Sequence, residues 1–144
     1  MSVIRELAAG ETAVAFDAMR ELRTDLESVD EFVRRVDEMQ RPEGYRLVGS
    51  FEPDVERATA VAGFRTGHSL AWGRFVYVDD LVTMTAHRGR GHAGALFDWL
   101  TTEAGRLGCE QLHLDSGTHR HDAHRFYLTH RMQIPGFHFA REVR

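Results

Sequence analysis

The chain contains no lysine and no asparagine, and it has one cysteine among its 144 residues. Without lysine it can have neither a Walker P-loop nor a catalytic Schiff base. The lone Cys109 allows neither an internal disulfide nor a CxxC metal site. No apolar run approaches the roughly 20 residues needed to cross a bilayer, and the N-terminus lacks the pattern of a secretory signal. These absences predict a cytoplasmic protein that does not enter the membrane.

Composition and charge set broader limits. With 42% hydrophobic and 28% charged residues, the chain is expected to fold as one domain over residues 1–144. Residues 1–57 carry fourteen acidic and eight basic side chains, whereas residues 58–144 carry eight acidic and ten basic ones and all nine histidines. This pattern suits an anionic ligand in the second part and a cationic one in the first, although ordinary solvated surfaces would look the same. No basic cluster is interleaved with aromatics, which argues against nucleic-acid binding.

Periodicity predicts alternating short strands and helices. In chain order we expect a strand at 3–7, helices at 11–26 and from Ser28, strands at 45–51, 58–65 and 74–83, a helix over 93–107, a strand at 111–115, a helix at 121–130 and a last strand at 134–143. Ser28 opens an S-x-x-E capping box, and Gly108 ends the long helix. The strand, helix and strand around this long helix form a βαβ crossover, which makes those two strands parallel.

A glycine- and arginine-rich turn joins the strand at 74–83 to the long helix. It reads Arg88-Gly89-Arg90-Gly91-His92-Ala93-Gly94. Backbone N–H groups at a helix N-terminus bind phosphate, and glycines let the ligand approach closely. The spacing also matches the GxGxxG of dinucleotide-binding folds. That alternative is disfavoured because three strands precede the strand that leads into the turn and only one βαβ unit is present.

The same turn resembles motif A of the Gcn5-related N-acetyltransferase (GNAT) superfamily. Arg88, Gly91 and Ala93 fill its pattern, and Ala123-x-x-Phe126-Tyr127 with a later Gly136-Phe137 resembles motif B. The order of elements agrees over nearly the whole chain. The resemblance implies an α/β (α+β) fold with a mixed, mostly antiparallel sheet of six to seven strands. One parallel pair at the acyl-CoA site and about four helices complete it.

The resemblance also implies an enzyme that transfers an acetyl group from acetyl-CoA to a primary amine by direct attack in a ternary complex. Tyr127 would protonate the departing thiolate. The cofactor contacts would come from backbone groups at the bend of the central strand, which receive the pantetheine and the thioester oxygen, and from the turn, which holds the pyrophosphate. These residues are Leu81, Val82, Thr83, Arg88, Gly89, Arg90, Gly91, His92, Ala93 and Gly94.

We expect an aspartate to be the base that takes the proton of the amine. Asp79 and Asp80 are adjacent, so they point to opposite faces of the strand. Polyamine acetyltransferases of the family carry an acidic pair here with the first residue as base, which favours Asp79. Asp80, Asp115 or a water relay stay open as alternatives. The acidic helices of residues 11–43 favour a small cationic amine as acceptor.

Some alternatives and one departure from the family remain. A GNAT-fold module that binds acyl-CoA without catalysis is one alternative. His119, His121 and His124 nearly match a zinc-hydrolase motif, but its aspartate is displaced by one position, so we expect no metal cofactor. Arg120 stands where many members place an asparagine that binds pantetheine. Dimers are common in the family, so a homodimer is compatible with the resemblance.

Overall fold

The computed structural model describes residues 2–144, which divide into two compact units, one ending at His113 and the other comprising Leu114–Arg144. No helix in this described range is long and apolar enough to pass through a membrane. The strands are β1 (Val3–Leu7), β2 (Arg46–Phe51), β3 (Ala60–Ser69), β4 (Gly73–Thr83) and β5 (Gln111–Leu114). The α-helices are α1 (Phe16–Leu22), α2 (Val29–Arg34), α3 (His92–Arg106) and α4 (His121–Thr129).

The five strands form one sheet in the order β1-β2-β3-β4-β5. The first three neighbouring pairs are antiparallel, and the sheet contains one parallel pair, made by β4 with β5. The crossover between these two strands is α3, as the strand, helix and strand pattern predicted. The mixed α/β fold and the four helices are therefore confirmed.

One face of the sheet is covered by α1 and α2. Met19 of α1, Phe32 of α2 and Val36, just after α2, join Val61 and Val82 of the sheet in one buried cluster. Ser28 caps α2 as predicted, because its hydroxyl accepts the N–H of Glu31 at 3.1 Å. The helix continues into a π-helical segment, Arg35–Gln40, and a short 3₁₀ turn.

The other face is covered by α3. Its apolar stripe buries Leu96 and Leu100 completely, and Trp99 packs edge-on against Phe64 of β3 with ring centroids 5.8 Å apart. The helix ends at Arg106, and Gly108 follows with a φ of 72°, a conformation that glycine adopts without strain. Gly108 was the predicted stop.

Two predicted elements differ. The helix expected at 11–26 is a 3₁₀ turn, Thr12–Ala15, followed by the seven residues of α1. The strand expected at 134–143 does not form, so the sheet has five strands within residues 2–144 rather than six to seven. Pro135 removes a backbone donor there, and Phe137 and Phe139, which alternation would place on one buried face, are exposed.

Stability should fall in acid because of Glu103 on α3. Arg106 and Arg46 bond this carboxylate and lower its pKa to about 2. The unfolded chain, with a normal glutamate pKa near 4.5, binds the proton first, so the stabilisation is complete above pH 4.5 and lost as the pH falls towards 2. We expect Glu103→Gln to flatten this part of a urea-stability profile, and Glu56→Gln, at an exposed site, to leave it unchanged. A Glu103→Gln profile as steep as that of the unaltered protein would contradict this assignment.

Candidate functional site

The glycine turn has the backbone geometry of an anion site. Gly89 and Gly91 have φ angles of 78° and 86°, and a Cβ added to either would meet no atom within 4 Å. Gly91 is the N-cap of α3, so the first N–H groups of the helix, from His92 onward, have no intrahelical acceptor. The space in front of these donors is open. Ala93 and Gly94, in the first turn of α3, are half-buried. These donors and this space suit a phosphate group.

A carboxylate just after β2 holds the turn in place. Glu52, just after β2, lies 3.0 Å from His87 Nδ1, 2.9 Å from Arg90 Nη1 and 3.0 Å from His92 Nε2. The bonds from His92 and Arg90 lower the pKa of Glu52 to about 2. Glu52 therefore stays ionised and fixes two side chains of the turn, Arg90 and His92, together with His87 just before it.

The side chains of His92 and Arg90 are bonded to other residues, although both positions lie in the turn. The imidazole of His92 is 2% exposed and lies 2.7 Å from Ser50 Oγ, so only its backbone N–H is available to a ligand. Arg90 is already paired with Glu52. Arg88 lies beside the end of β4, where its Nε is 3.5 Å from the carbonyl oxygen of Thr83. Arg88 is therefore the arginine of the turn whose charge Glu52 does not neutralise.

The end of β4 extends past its parallel neighbour. The N–H of Glu110, immediately before β5, bonds to the carbonyl of Arg74 near the start of β4. Because β5 has four residues and β4 has eleven, the backbone of Leu81, Val82 and Thr83 continues beyond β5. Leu81 and Val82 are buried. Their side chains anchor this part of β4 in the core. The backbone groups on the β5 side of β4 have no strand partner here among residues 2–144 and can bond to a ligand.

A β-bulge lies in β4 at the acidic pair. Gly63 pairs with Asp80 and Phe64 pairs with Val78, so Asp79 has no partner of its own on β3. Asp79 bonds Arg65, and Asp80 lies opposite Gly63, two residues away on β3 and thus on the same face. The predicted opposite orientation of the two aspartates is wrong, because the bulge interrupts the alternation of the strand.

The two carboxylates have different surroundings. Within the described residues Asp79 has one side-chain donor, Arg65 Nε, which lies 3.2 and 3.0 Å from its two oxygens, yet burial outweighs this contact and raises the pKa of Asp79 above its usual value. Both oxygens of Asp80 are bonded, one to Arg23 Nε at 2.8 Å and the other to the hydroxyl of Tyr45 at 2.7 Å. Asp79 therefore has the greater capacity to accept a proton, and Asp80 is held in one orientation.

Gly63 makes room for the tyrosine that holds Asp80. A Cβ at this position would lie 1.6 Å from the Tyr45 hydroxyl oxygen. Tyr45 is buried, and burial together with the neighbouring Asp80 raises the pKa of its hydroxyl well above 10, so it stays a donor. The contact requires glycine because the tyrosine hydroxyl occupies the place of a side chain.

We expect Gly63→Ala to lower the free energy of unfolding by about 1–3 kcal/mol, the usual cost of overpacking a core. Urea denaturation measures it. Gly105→Ala is the matched control, because Gly105 is exposed on α3 with open space around it. Alanine there should stabilise the helix by about 0.5–1 kcal/mol. If both variants have the same stability, Tyr45 does not depend on Gly63.

A cavity of about 360 Å³ opens beside Asp80. Residues from α1, α2, the π-helical segment and Tyr45 line it. Asp80 lies at the bend of β4, one residue from Leu81, where the free backbone edge begins. The cavity therefore adjoins the same end of β4 as the glycine turn.

The second unit holds the motif B residues. Tyr127 on α4 is half-buried, and burial raises the pKa of its hydroxyl, while a hydrogen bond from Arg120 opposes that rise. Arg120, which replaces the family's asparagine, thus contacts the tyrosine predicted as the acid. Asp115, the remaining base candidate, is paired with His138.

The three histidines that resemble a zinc motif lie in or beside α4. His124 Nε2 is 2.8 Å from the carbonyl of Gly117, and the rings of His121 and His124 are 6.1 Å apart. Among residues 2–144 no three histidine, cysteine or acidic side chains converge as metal ligands.

Sequence reasoning missed Glu52, Tyr45 and Arg65. Glu52 precedes Pro53-Asp54, which indicated only a turn. Tyr45 and Arg65 reach the acidic pair through strand pairing between distant segments, for which the sequence carries no local signal.

Comparison with known proteins agrees with this geometry. A model of the acetyltransferase (GNAT) family matches residues 15–131. An uncharacterised N-acetyltransferase of Bacillus subtilis, YhdJ, is 33% identical over 117 residues, which cover 81% of this chain and 80% of that protein.

Solved structures share the fold at lower identity. A transcriptional regulator from Bacillus halodurans superposes with a TM-score of 0.85 at 18% identity, covering 99% of each chain. The aminoglycoside N-acetyltransferase AAC(6')-Iy in complex with CoA superposes with a TM-score of 0.84 at 13% identity, covering 99% of this chain and 95% of that one.

Proposed function

Since this chain belongs to the GNAT acetyltransferase family and is an acyltransferase, we propose that it acetylates a small primary amine with acetyl-CoA by direct attack in a ternary complex. The observation that carries this proposal is the anion site at Gly89–Gly94 beside the free backbone edge of β4. Acetyl-CoA supplies an acyl group activated as a thioester.

The turn and β4 bind different parts of acetyl-CoA. N–H groups at the start of α3, with Arg88, hold the pyrophosphate. Backbone groups of Leu81, Val82 and Thr83 bond the pantetheine arm and stabilise negative charge on the thioester oxygen. Glu52 keeps the turn in its binding conformation through Arg90 and His92.

Two side chains move protons. The amine arrives as an ammonium ion and loses one proton to Asp79, directly or through water; its nitrogen then bonds to the acyl carbon as the carbon–sulfur bond breaks, and it releases a second proton to water as the amide forms. Tyr127 gives a proton to the leaving sulfur. An unperturbed phenol with a pKa of about 10 donating to a thiol of about 8.5 is uphill by roughly 2 kcal/mol, and burial, which raises the pKa of Tyr127, adds to this cost. Hydrogen bonding from Arg120 stabilises the phenolate that forms.

Tyr127→Phe should lower kcat about a hundredfold, within the range of a lost general acid, while the Kd for acetyl-CoA by calorimetry changes little. The reason is that the hydroxyl acts on the leaving thiolate and not on the bound cofactor. Phe126→Tyr, which keeps Tyr127, is the matched control. Unchanged turnover in Tyr127→Phe removes this residue from the acid role.

Three further features of the proposal concern the protein's setting. We place it in the cytoplasm, where acetyl-CoA is available, and we assign it no metal cofactor. A homodimer, common in the family, is part of the proposal, and light scattering would measure it. The single domain over residues 1–144 stays a prediction.

A further inference from the structure

The cavity beside Asp80 has the size of a small metabolite site. Its volume of about 360 Å³ equals on the order of a dozen waters at roughly 30 Å³ each. An acceptor of about a dozen non-hydrogen atoms would fill it. Leu22, Leu26, Phe32 and Val36 are among its lining residues, but the last three are buried, so most of the surface that faces an occupant is polar.

The charge of Asp80, which lines the cavity, is already neutralised. Arg23 bonds Asp80 through Nε and the carbonyl of Asp79 through Nη2, both at 2.8 Å. The second oxygen of Asp80 accepts from Tyr45. Asp80 therefore offers a cationic acceptor no unpaired charge, because Arg23 compensates it.

Two lining side chains of opposite charge are unpaired within the described part of the chain. Asp25 and Arg35 both line the cavity, are exposed, and make no ion pair with any residue of 2–144. The acidic residues of α2 and of the π-helical segment do not line the cavity. One of them, Asp37, is bonded to Arg41 and Thr12. Two arginines and two aspartates therefore surround the cavity. A polyamine would leave Arg35 facing like charge.

We propose that the amine acceptor also carries an anionic group, a carboxylate in the simplest case, which Arg35 binds. The site thus selects a small amine that also bears a carboxylate, because Arg23 is already paired with Asp80 and Arg35 is the lining arginine left to bind an anion. This inference rests on the proposed acetyl transfer. It narrows the small cationic amine to one that bears both charges.

Matched pairs of amines that differ by one carboxylate test the inference. Phenylalanine is compared with phenethylamine, leucine with isopentylamine, and 4-aminobutanoate with propylamine, and putrescine serves as the polyamine. Initial rates of thiol release from acetyl-CoA give kcat and KM for each. We expect the best carboxylate-bearing amine to exceed its partner by about tenfold or more in kcat/KM, the size of one charge-assisted contact.

Arg35→Gln should raise the KM of that carboxylate-bearing amine about tenfold and leave its kcat and the KM of its partner within about twofold. Arg34→Gln is the matched control, because Arg34 is the preceding residue, lies against Met39 and does not line the cavity. If carboxylate-free amines are preferred, or if Arg35→Gln has no effect on KM, the inference is wrong.

Ligand binding separates this inference from the proposed activity. Calorimetry with protein saturated with CoA should show the same preference within each pair, whether or not transfer occurs. A carboxylate preference in binding without thiol release would support the zwitterion site and overturn the acetyl transfer. Transfer to putrescine alone, with no carboxylate preference in binding, would support the acetyl transfer and overturn the zwitterion site.

Discussion

Replacing Gly91 with alanine is expected to weaken CoA binding about a hundredfold, which corresponds to about 2.7 kcal/mol. Gly91 caps α3 with a φ of 86°, a conformation that costs an alanine about 1–2 kcal/mol. The variant relieves this strain by changing the turn, which moves the N–H groups away from the phosphates. Calorimetric titration with CoA measures the loss.

Gly105→Ala again serves as the control, because this glycine lies in the same helix at a normal helical position with open space around it. Its affinity for CoA should equal that of the unaltered protein. An unchanged Kd in Gly91→Ala would show that the turn does not hold the pyrophosphate. A folded Gly91→Ala protein, verified by its circular dichroism, is required for this comparison.

Asp79→Asn should lower kcat/KM for the amine about a hundredfold at pH 7, within the range for loss of a general base. Burial raises the pKa of Asp79, so its carboxylate is a better proton acceptor than a solvent-exposed one. The deficit should shrink as the pH approaches the pKa of the amine, because the free amine then needs no base. A pH–rate profile records both effects.

Asp98→Asn, on the exposed side of α3, is the matched control and should leave the profile unchanged. An Asp79→Asn enzyme with full activity at low pH would transfer the base role to Asp80, Asp115 or a water relay. A second readout is the affinity for CoA, which Asp79→Asn should not alter.

Local patterns in the sequence were enough to predict most of the fold. The capping box at Ser28, the glycine turn and the stop at Gly108 are short-range signals, and each lies at the predicted helix end. The tail at 134–143 was wrong because alternation of Phe137 and Phe139 indicates a strand only when a neighbouring strand can pair with it. Its apolar side chains remain exposed.

The chemistry of the site depended more on distant pairing. The bulge that turns Asp79 and Asp80 to one face arises from the register of β3 with β4, which no single segment specifies. Likewise Glu52 meets Arg90, and Tyr45 meets Asp80, across 38 and 35 residues of chain. The geometry of the glycine turn was predictable because its backbone donors are consecutive in sequence, whereas these partners were not.

The central claim, acetyl transfer to an amine, is tested most directly by amine-dependent release of thiol from acetyl-CoA, with mass spectrometry of the amine product. We predict that thiol appears only when an acceptor amine is present, in step with the acetylated amine. Tight acetyl-CoA binding without thiol release for any amine would instead show a non-catalytic binding module and contradict the account.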